Sequence, residues 1–152
     1  MLKWLLIAVV VLLVAAPAAG AATMTSPENA LLRQMNTVRA QHGLKPLRFD
    51  TRLEQAARFH SREMLSSDVF QHGAFASRMV RFRIQGTLAG ENLAWGNGAL
   101  GTPSGVVAAW LASPEHRANL LRPSFRRVGI GELTGSFLGH GGVRVVTADF
   151  AG

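Results

Sequence analysis

The hydrophobic period of this chain changes once, and that change restricts its fold more than any other feature. Up to about Leu121 apolar residues recur at helical spacing, and from Arg127 onward they alternate. Ser26-Pro27-Glu28 combines a capping hydroxyl, a proline suited to the first helical turn and an acid that favours the helix dipole. Leu31, Met35 and Val38 then keep one face, and Gly43 supplies a left-handed stop, which predicts a helix from Pro27 to about His42. An extended Leu44–Phe49 linker leads to Asp50, which caps a second helix carrying Leu53, Ala56, Ala57, His60 and Met64 on one face and ending near Ser67. Residues 68–101 read as loop-rich, with a short helical stretch around Ala76 to Ile84. Thr102-Pro103 restarts a helix with Val106, Val107, Trp110 and Leu111 inward, and Ser113-Pro114-Glu115 begins another turn through about Leu121. Val128, Ile130 and Glu132, a glycine-rich turn from Gly135 to Gly142, and Val143, Val145, Thr147 and Asp149 then read as a β-hairpin. Helices first and an antiparallel hairpin last indicate an α+β fold. They favour it over a doubly wound sheet, which interleaves strands with helices throughout.

The 152 residues suffice for one domain. Met1-Leu2-Lys3, an apolar run from Trp4 to Ala16 and small residues around Pro17–Ala22 have the grammar of a secretory signal peptide. The expected division is a signal peptide at 1–22, an N-terminal tail at 23–30 and a folded domain at 31–152. Cleavage after Ala21 or Ala22 leaves an extracytoplasmic protein, periplasmic or secreted, with no stable membrane insertion. An uncleaved anchor is the competing reading, since Trp4 to Ala22 is just long enough to span a thin bilayer. The absence of cysteine excludes disulfides, thiolate metal sites and a thiol nucleophile together. Without Lys3 the chain carries 15 Lys and Arg against 9 Asp and Glu. Such charge suits anionic lipid headgroups, acidic cell-wall polymer or nucleic acid. No five-residue basic run occurs, so nucleic acid is not expected. Attraction to anionic lipid or polymer is expected to be weak and salt-sensitive, because the arginines are scattered along the chain.

Among five histidines, His42 sits at a helix end, His140 in a glycine turn and His60 on an apolar helical stripe, all of which suit structural roles. His72 and His116 lie in distinctive strings. These are Phe70-x-His72 and Trp110-x-x-Ser113-Pro114-x-His116-Arg117-x-Asn119, joined by Asn36-x-x-Arg39, Gly43-Leu44-x-Pro46-Leu47, Gly90-Glu91-Asn92-Leu93-Ala94 and Val128-Gly129-Ile130-Gly131. In this order, over about Leu31 to Phe150, they resemble the CAP superfamily, also called SCP-like or cysteine-rich secretory, antigen 5 and pathogenesis-related-1 proteins. The similarity is to its short, cysteine-free bacterial members. The resemblance implies an α/β/α sandwich, with helices flanking a small antiparallel sheet, and export.

It also implies a surface cleft with two histidines and two glutamates. His72 matches the first histidine and Glu91 the first glutamate. The place of the second glutamate holds Ser113, with Glu115 two residues further. The late-strand string that carries the second histidine is replaced by Arg144–Asp149, so His116 is the second imidazole by similarity to bacterial relatives. His72 and His116 with a carboxylate suit Zn²⁺, with a second carboxylate as base. His72, Glu91, Glu115 and His116 are therefore the candidates for catalysis, and Glu91, Asn92, Trp95 and Asn119 for the wall of a ligand cleft. Three functions follow from the resemblance: a binding protein for a lipid or cell-wall component, a metal-dependent hydrolase of peptide or cell-wall material, and a non-catalytic lipid-binding or interaction module. No Gly-x-Ser-x-Gly, His-Glu-x-x-His or phosphate loop is present.

Overall fold

The computed structural model describes residues 23–152; the signal-peptide and anchor readings fall on residues 1–22 and lie outside the described residues. Helix α1 spans Ser26–Gln41. Its cap is Thr25 rather than Ser26: the Thr25 hydroxyl accepts the Glu28 N–H at 3.4 Å, and the Glu28 carboxylate accepts the Thr25 N–H at 2.7 Å. The stretch read as a tail thus supplies the first turn of α1, and Glu28 is buried against Arg58. Helix α2 (Thr51–Ser67) is capped by Asp50, whose carboxylate accepts the Arg52 and Leu53 N–H groups. Helices α3 (Phe75–Arg81), α4 (Pro103–Ala112) and α5 (Pro114–Leu120) follow. Ser113 occupies the cap position of α5, but its hydroxyl makes no capping bond.

Four strands, β1 (Arg48–Phe49), β2 (Ala89–Gly96), β3 (Arg127–Phe137) and β4 (His140–Ala151), form one sheet in the order β1-β3-β4-β2. β1 runs parallel to β3, and the other pairings are antiparallel. The predicted hairpin is therefore the centre of a mixed sheet, and part of the segment read as loop is an eight-residue strand. The hairpin turn is also tighter than the glycines indicated, with strand pairing as far as Phe137 opposite His140.

Period-two alternation sorts the sheet residues onto two faces. Val128, Ile130, Val146, Ala148 and Phe150 meet Leu31, Met35, Val107 and Trp110 in the larger core beneath α1, α4 and α5. Leu93, Val143 and Val145 join Met64 on the other face, beneath α2. This is the expected α/β/α sandwich. α2 lies so close to β3 that a Cβ on Gly129 would stand 1.9 Å from the Glu54 nitrogen, and one on Gly131 2.3 Å from the Arg58 nitrogen. Only glycine admits the helix there. Arg39, fully buried, fixes the opposite layer: its guanidinium donates to the carbonyls of Lys45, Leu120, Arg122 and Phe125, tying the α1–β1 linker, the end of α5 and the α5–β3 linker to α1.

Candidate functional site

β2 is an edge strand, and its two polar residues point to opposite faces of the sheet. Asn92 turns towards α5 and is fully buried. It donates to the His116 carbonyl at 2.9 Å and accepts from Asn119 at 3.0 Å, while Asn119 also donates to the Glu91 carbonyl at 3.1 Å. Both amides are engaged within the fold in this arrangement. Together they dock the first turn of α5, with His116, on the strand. Gly90 permits that approach, since a Cβ there would meet the Phe125 ring at 2.8 Å and Asn119 at 3.0 Å.

Glu91 turns the other way, towards α3, and is buried. Its Oε1 faces His72 Nδ1 at 2.7 Å, and its Oε2 accepts from Arg78 Nη2. Arg78, 4% exposed, also donates to the His72 carbonyl at 3.4 Å, so one guanidinium holds both the carboxylate and the backbone of the histidine that the carboxylate orients. Behind them stands Asp149, the cross-strand partner of Glu91 on β4 and fully buried. Asp149 Oδ2 lies 3.9 Å from Arg78 Nε, and neither of its oxygens has a donor within the described residues. Burial first, and the Glu91 carboxylate second, raise its pKa well above the ordinary value despite Arg78. Protonated, Asp149 donates where it cannot accept, and Glu91 takes that bond.

His72 is 57% exposed at its side chain, and Glu91 holds one of its two ring nitrogens. His116 is half-buried. Burial, and then the neighbouring His72 imidazole, lower its pKa below the ordinary value, against a smaller opposing effect of Glu115. The charge of one imidazole is therefore felt at the other across the edge of β2, His72 being held from the Glu91 face and the His116 backbone from the Asn92 face. Glu115 is exposed and forms no ion pair or hydrogen bond among the described residues. Trp95 lies further along β2 on the Glu91 face. It is 36% exposed, its ring centroid 5.9 Å from that of Phe137 and 5.8 Å from that of His140. His60 is buried as expected, with Nε2 2.8 Å from the Gln71 carbonyl and 4.0 Å from Glu91 Oε2.

Arg78 and Asp149 are the members of this network that sequence reasoning did not single out. Asp149 carried a signal, since its alternation with Val145 and Thr147 places a carboxylate on an inward face. Arg78 carried none, lying within a run of arginines that reads as surface.

The described portion of the chain matches the CAP family, the Cysteine-rich secretory protein family, over residues 32–148. The chain belongs to the CAP family. It does so without any cysteine. It is 36% identical over 114 residues to the uncharacterized protein YkwD of Bacillus subtilis, covering 72% of this chain and 43% of that protein. The uncharacterized membrane protein YlbC of the same organism is 30% identical over 112 residues, covering 70% and 32%. The chain thus spans less than half the length of these curated relatives. An extracellular protein containing an SCP domain from Bacillus anthracis superposes with a TM-score of 0.63 at 30% identity, over 82% of this chain and 41% of that one. An outer surface protein of Borrelia burgdorferi, at 22% identity and a TM-score of 0.69 over 80% and 89% of the two chains, shares the fold. Among the described residues no helix is long and apolar enough to cross a membrane.

The zinc that the resemblance implies can be tested against these donors. Both oxygens of Glu91 are committed, to His72 and to Arg78, and among the described residues no three His, Cys, Asp or Glu side chains converge on a possible ion position. A hydrolytic zinc site needs three protein ligands with one position open. Two imidazoles whose carboxylate is held by a guanidinium do not fit that description.

Proposed function

We propose that this CAP domain is an exported binding protein that takes a cell-wall component at the edge of β2. The observation that carries the reading is the Arg78–Glu91–His72 chain: a buried ion pair that fixes the orientation of one exposed imidazole. Such an arrangement pre-organises a hydrogen-bonding group, which lowers the ordering cost of recognition. His116 supplies a second polar group beside it. Trp95 supplies an apolar face at the far end of the strand, since four residues of strand separate it from Glu91 by roughly 13 Å. A ligand that touches both ends is extended and presents polar edges and flat faces, as a glycan strand does.

Binding rather than hydrolysis is favoured because Glu91 is not free to act as a base and the metal donors fall short. The test is calorimetric titration of the domain with soluble peptidoglycan fragments. The wild type should bind, and His72→Ala and Trp95→Ala should each weaken binding at least tenfold while the domain remains folded by circular dichroism. Equal binding by wild type and His72→Ala would remove the site from the reading, and release of new reducing ends or amines would establish the hydrolase instead.

A further inference from the structure

The fold gathers cations that the sequence scatters. By exposure, ten of the fifteen lysines and arginines between residues 23 and 152 lie on the surface, but only three of the nine acids do, namely Glu63, Asp68 and Glu115. Six of the ten, Lys45, Arg48, Arg52, Arg83, Arg122 and Arg126, belong to segments joined at one end of the sheet. Arg48 N–H donates to the Arg126 carbonyl, and Arg48 pairs with Arg127 in the β1–β3 register. The buried Arg39 guanidinium binds the carbonyls of both Lys45 and Arg122. Arg52 Nη1 donates to the Arg83 carbonyl at 3.1 Å. Asp50 is the acid of this pole, and it is committed to Arg127 at 2.8 Å and to the first amides of α2. Among the described residues none of the six exposed cations has a carboxylate within ion-pair distance. Lys45, Arg48, Arg126 and Arg127 line one cavity of about 490 Å³, floored by Pro46 and Phe49.

We infer that this basic pole is a second binding surface, separate from the β2 edge, and that its occupant is a polymer with a phosphate on each repeating unit. Arginine forks match phosphate oxygens in pairs, and a multivalent anion gains from every unpaired guanidinium it meets. A membrane surface fits less well. Of the exposed large apolar side chains, Phe70, Trp95 and Leu138 gather at the hairpin end of β3 and β4, while Val80, whose carbonyl accepts the Arg83 N–H, stands beside the pole, which therefore offers a short aliphatic side chain but no aromatic anchor to insert. Nucleic acid fits less well for a related reason, because Phe49, the aromatic ring in the cavity, is half-buried, and the exposed rings of Phe70 and Trp95 pack against Phe137 at the other end of the sheet.

The probe is inorganic polyphosphate, end-labelled and followed by fluorescence anisotropy with the domain. Four to six engaged phosphates, at a log–log salt slope of about 0.7 each as for single strands, predict an affinity loss of roughly 50- to 300-fold between about 50 and 200 mM salt. Arg48→Ala with Arg126→Ala should weaken binding at least tenfold and flatten the slope. Arg33→Ala with Arg62→Ala removes the same charge from exposed helix positions elsewhere and should change it less than twofold. His72→Ala should leave polyphosphate binding unchanged, which separates this surface from the proposed cleft. Equal losses in the two double variants would overturn the inference by reducing it to net charge. So would no binding at the lower salt, tighter binding per phosphate to anionic phospholipid vesicles, or tenfold tighter binding of an oligonucleotide with the same number of phosphates.

Discussion

Replacing Arg78 by methionine tests the centre of the candidate site, because it removes the guanidinium while keeping most of the apolar stem. In the native protein Arg78 faces two carboxyl groups, Glu91 and an Asp149 whose pKa burial and the Glu91 carboxylate push well above the ordinary value. Removing the cation leaves Glu91, buried, with His72 at 2.7 Å and the Asp149 carboxyl beside it but no fixed positive charge. Breaking a buried ion pair from one side costs about 3–5 kcal/mol. The surviving contact to an exposed imidazole places Arg78→Met near the lower end, about 3 kcal/mol, which for a domain of this size lowers Tm by roughly 10 °C. Asp149→Asn should behave oppositely. The asparagine keeps a donor for Glu91 and discards only a proton that Asp149 already retains, so it should cost less than about 1 kcal/mol. The pH dependence has a definite sign. Because the folded pKa of Asp149 lies above its unfolded value, its contribution is fully present below about pH 4 and is lost as pH rises towards the folded pKa. Relative to wild type, Asp149→Asn should therefore gain stability as pH rises. Urea unfolding of the three proteins at several pH values measures all of this. If Arg78→Met costs under about 1 kcal/mol, or if Asp149→Asn is as damaging as Arg78→Met at neutral pH, the assigned charge states are wrong.

Two further outcomes follow from the same coordinates. His116 should titrate below the ordinary imidazole range by NMR and should move upward in His72→Ala, since part of its shift comes from that neighbour; an unchanged titration would mean that the two rings are too far apart to share a ligand. Gly131→Ala, whose Cβ would meet backbone atoms of α2 at 2.3–2.5 Å, should cost about 3 kcal/mol or more in denaturant unfolding, whereas Gly141→Ala, with nothing within 4 Å, should stay within about 0.5 kcal/mol; a mild Gly131→Ala would show that α2 can lift off β3 cheaply.

The parts of the fold legible in the sequence are those whose signals are local. Caps and prolines mark α1, α2, α4 and α5 to within a residue or two, and alternation marks β3 and β4, because each pattern reports on neighbours along the chain. β2 escaped for the opposite reason. Ala-Gly-Glu-Asn-Leu-Ala-Trp-Gly has glycines at its second and last positions and two polar residues near its centre, and it becomes a strand only by pairing with β4, some fifty residues later. Its inward polar residues look like loop chemistry until their partners, Arg78 on one face and Asn119 on the other, are in place. β1 is two residues long and is defined by its register with Arg127 and Val128, which no periodicity can announce.

The site divides along the same line. His72, Glu91 and His116 were reachable because they stand in recognisable strings, but the groups that fix them were not, since whether a charge is buried is decided by tertiary pairing rather than by its neighbours in sequence. Arg78 illustrates the point most sharply. It belongs to the Arg78, Arg81 and Arg83 cluster, of which Arg81 and Arg83 are exposed, yet it is sealed inside with Glu91 and Asp149. The converse holds for the acids. Glu28, Glu54, Glu91 and Asp149 are all buried, so the surface is more basic than the formal charge of the chain conveys. One of those withdrawn carboxyl groups, Glu91, holds the His72 imidazole in place, and the withdrawal of all four leaves the exposed arginines with few competitors for an external anion. Orientation of the His72 imidazole and exposure of the basic pole are therefore consequences of one distribution of charge, with acids taken into the sandwich and cations left outside it.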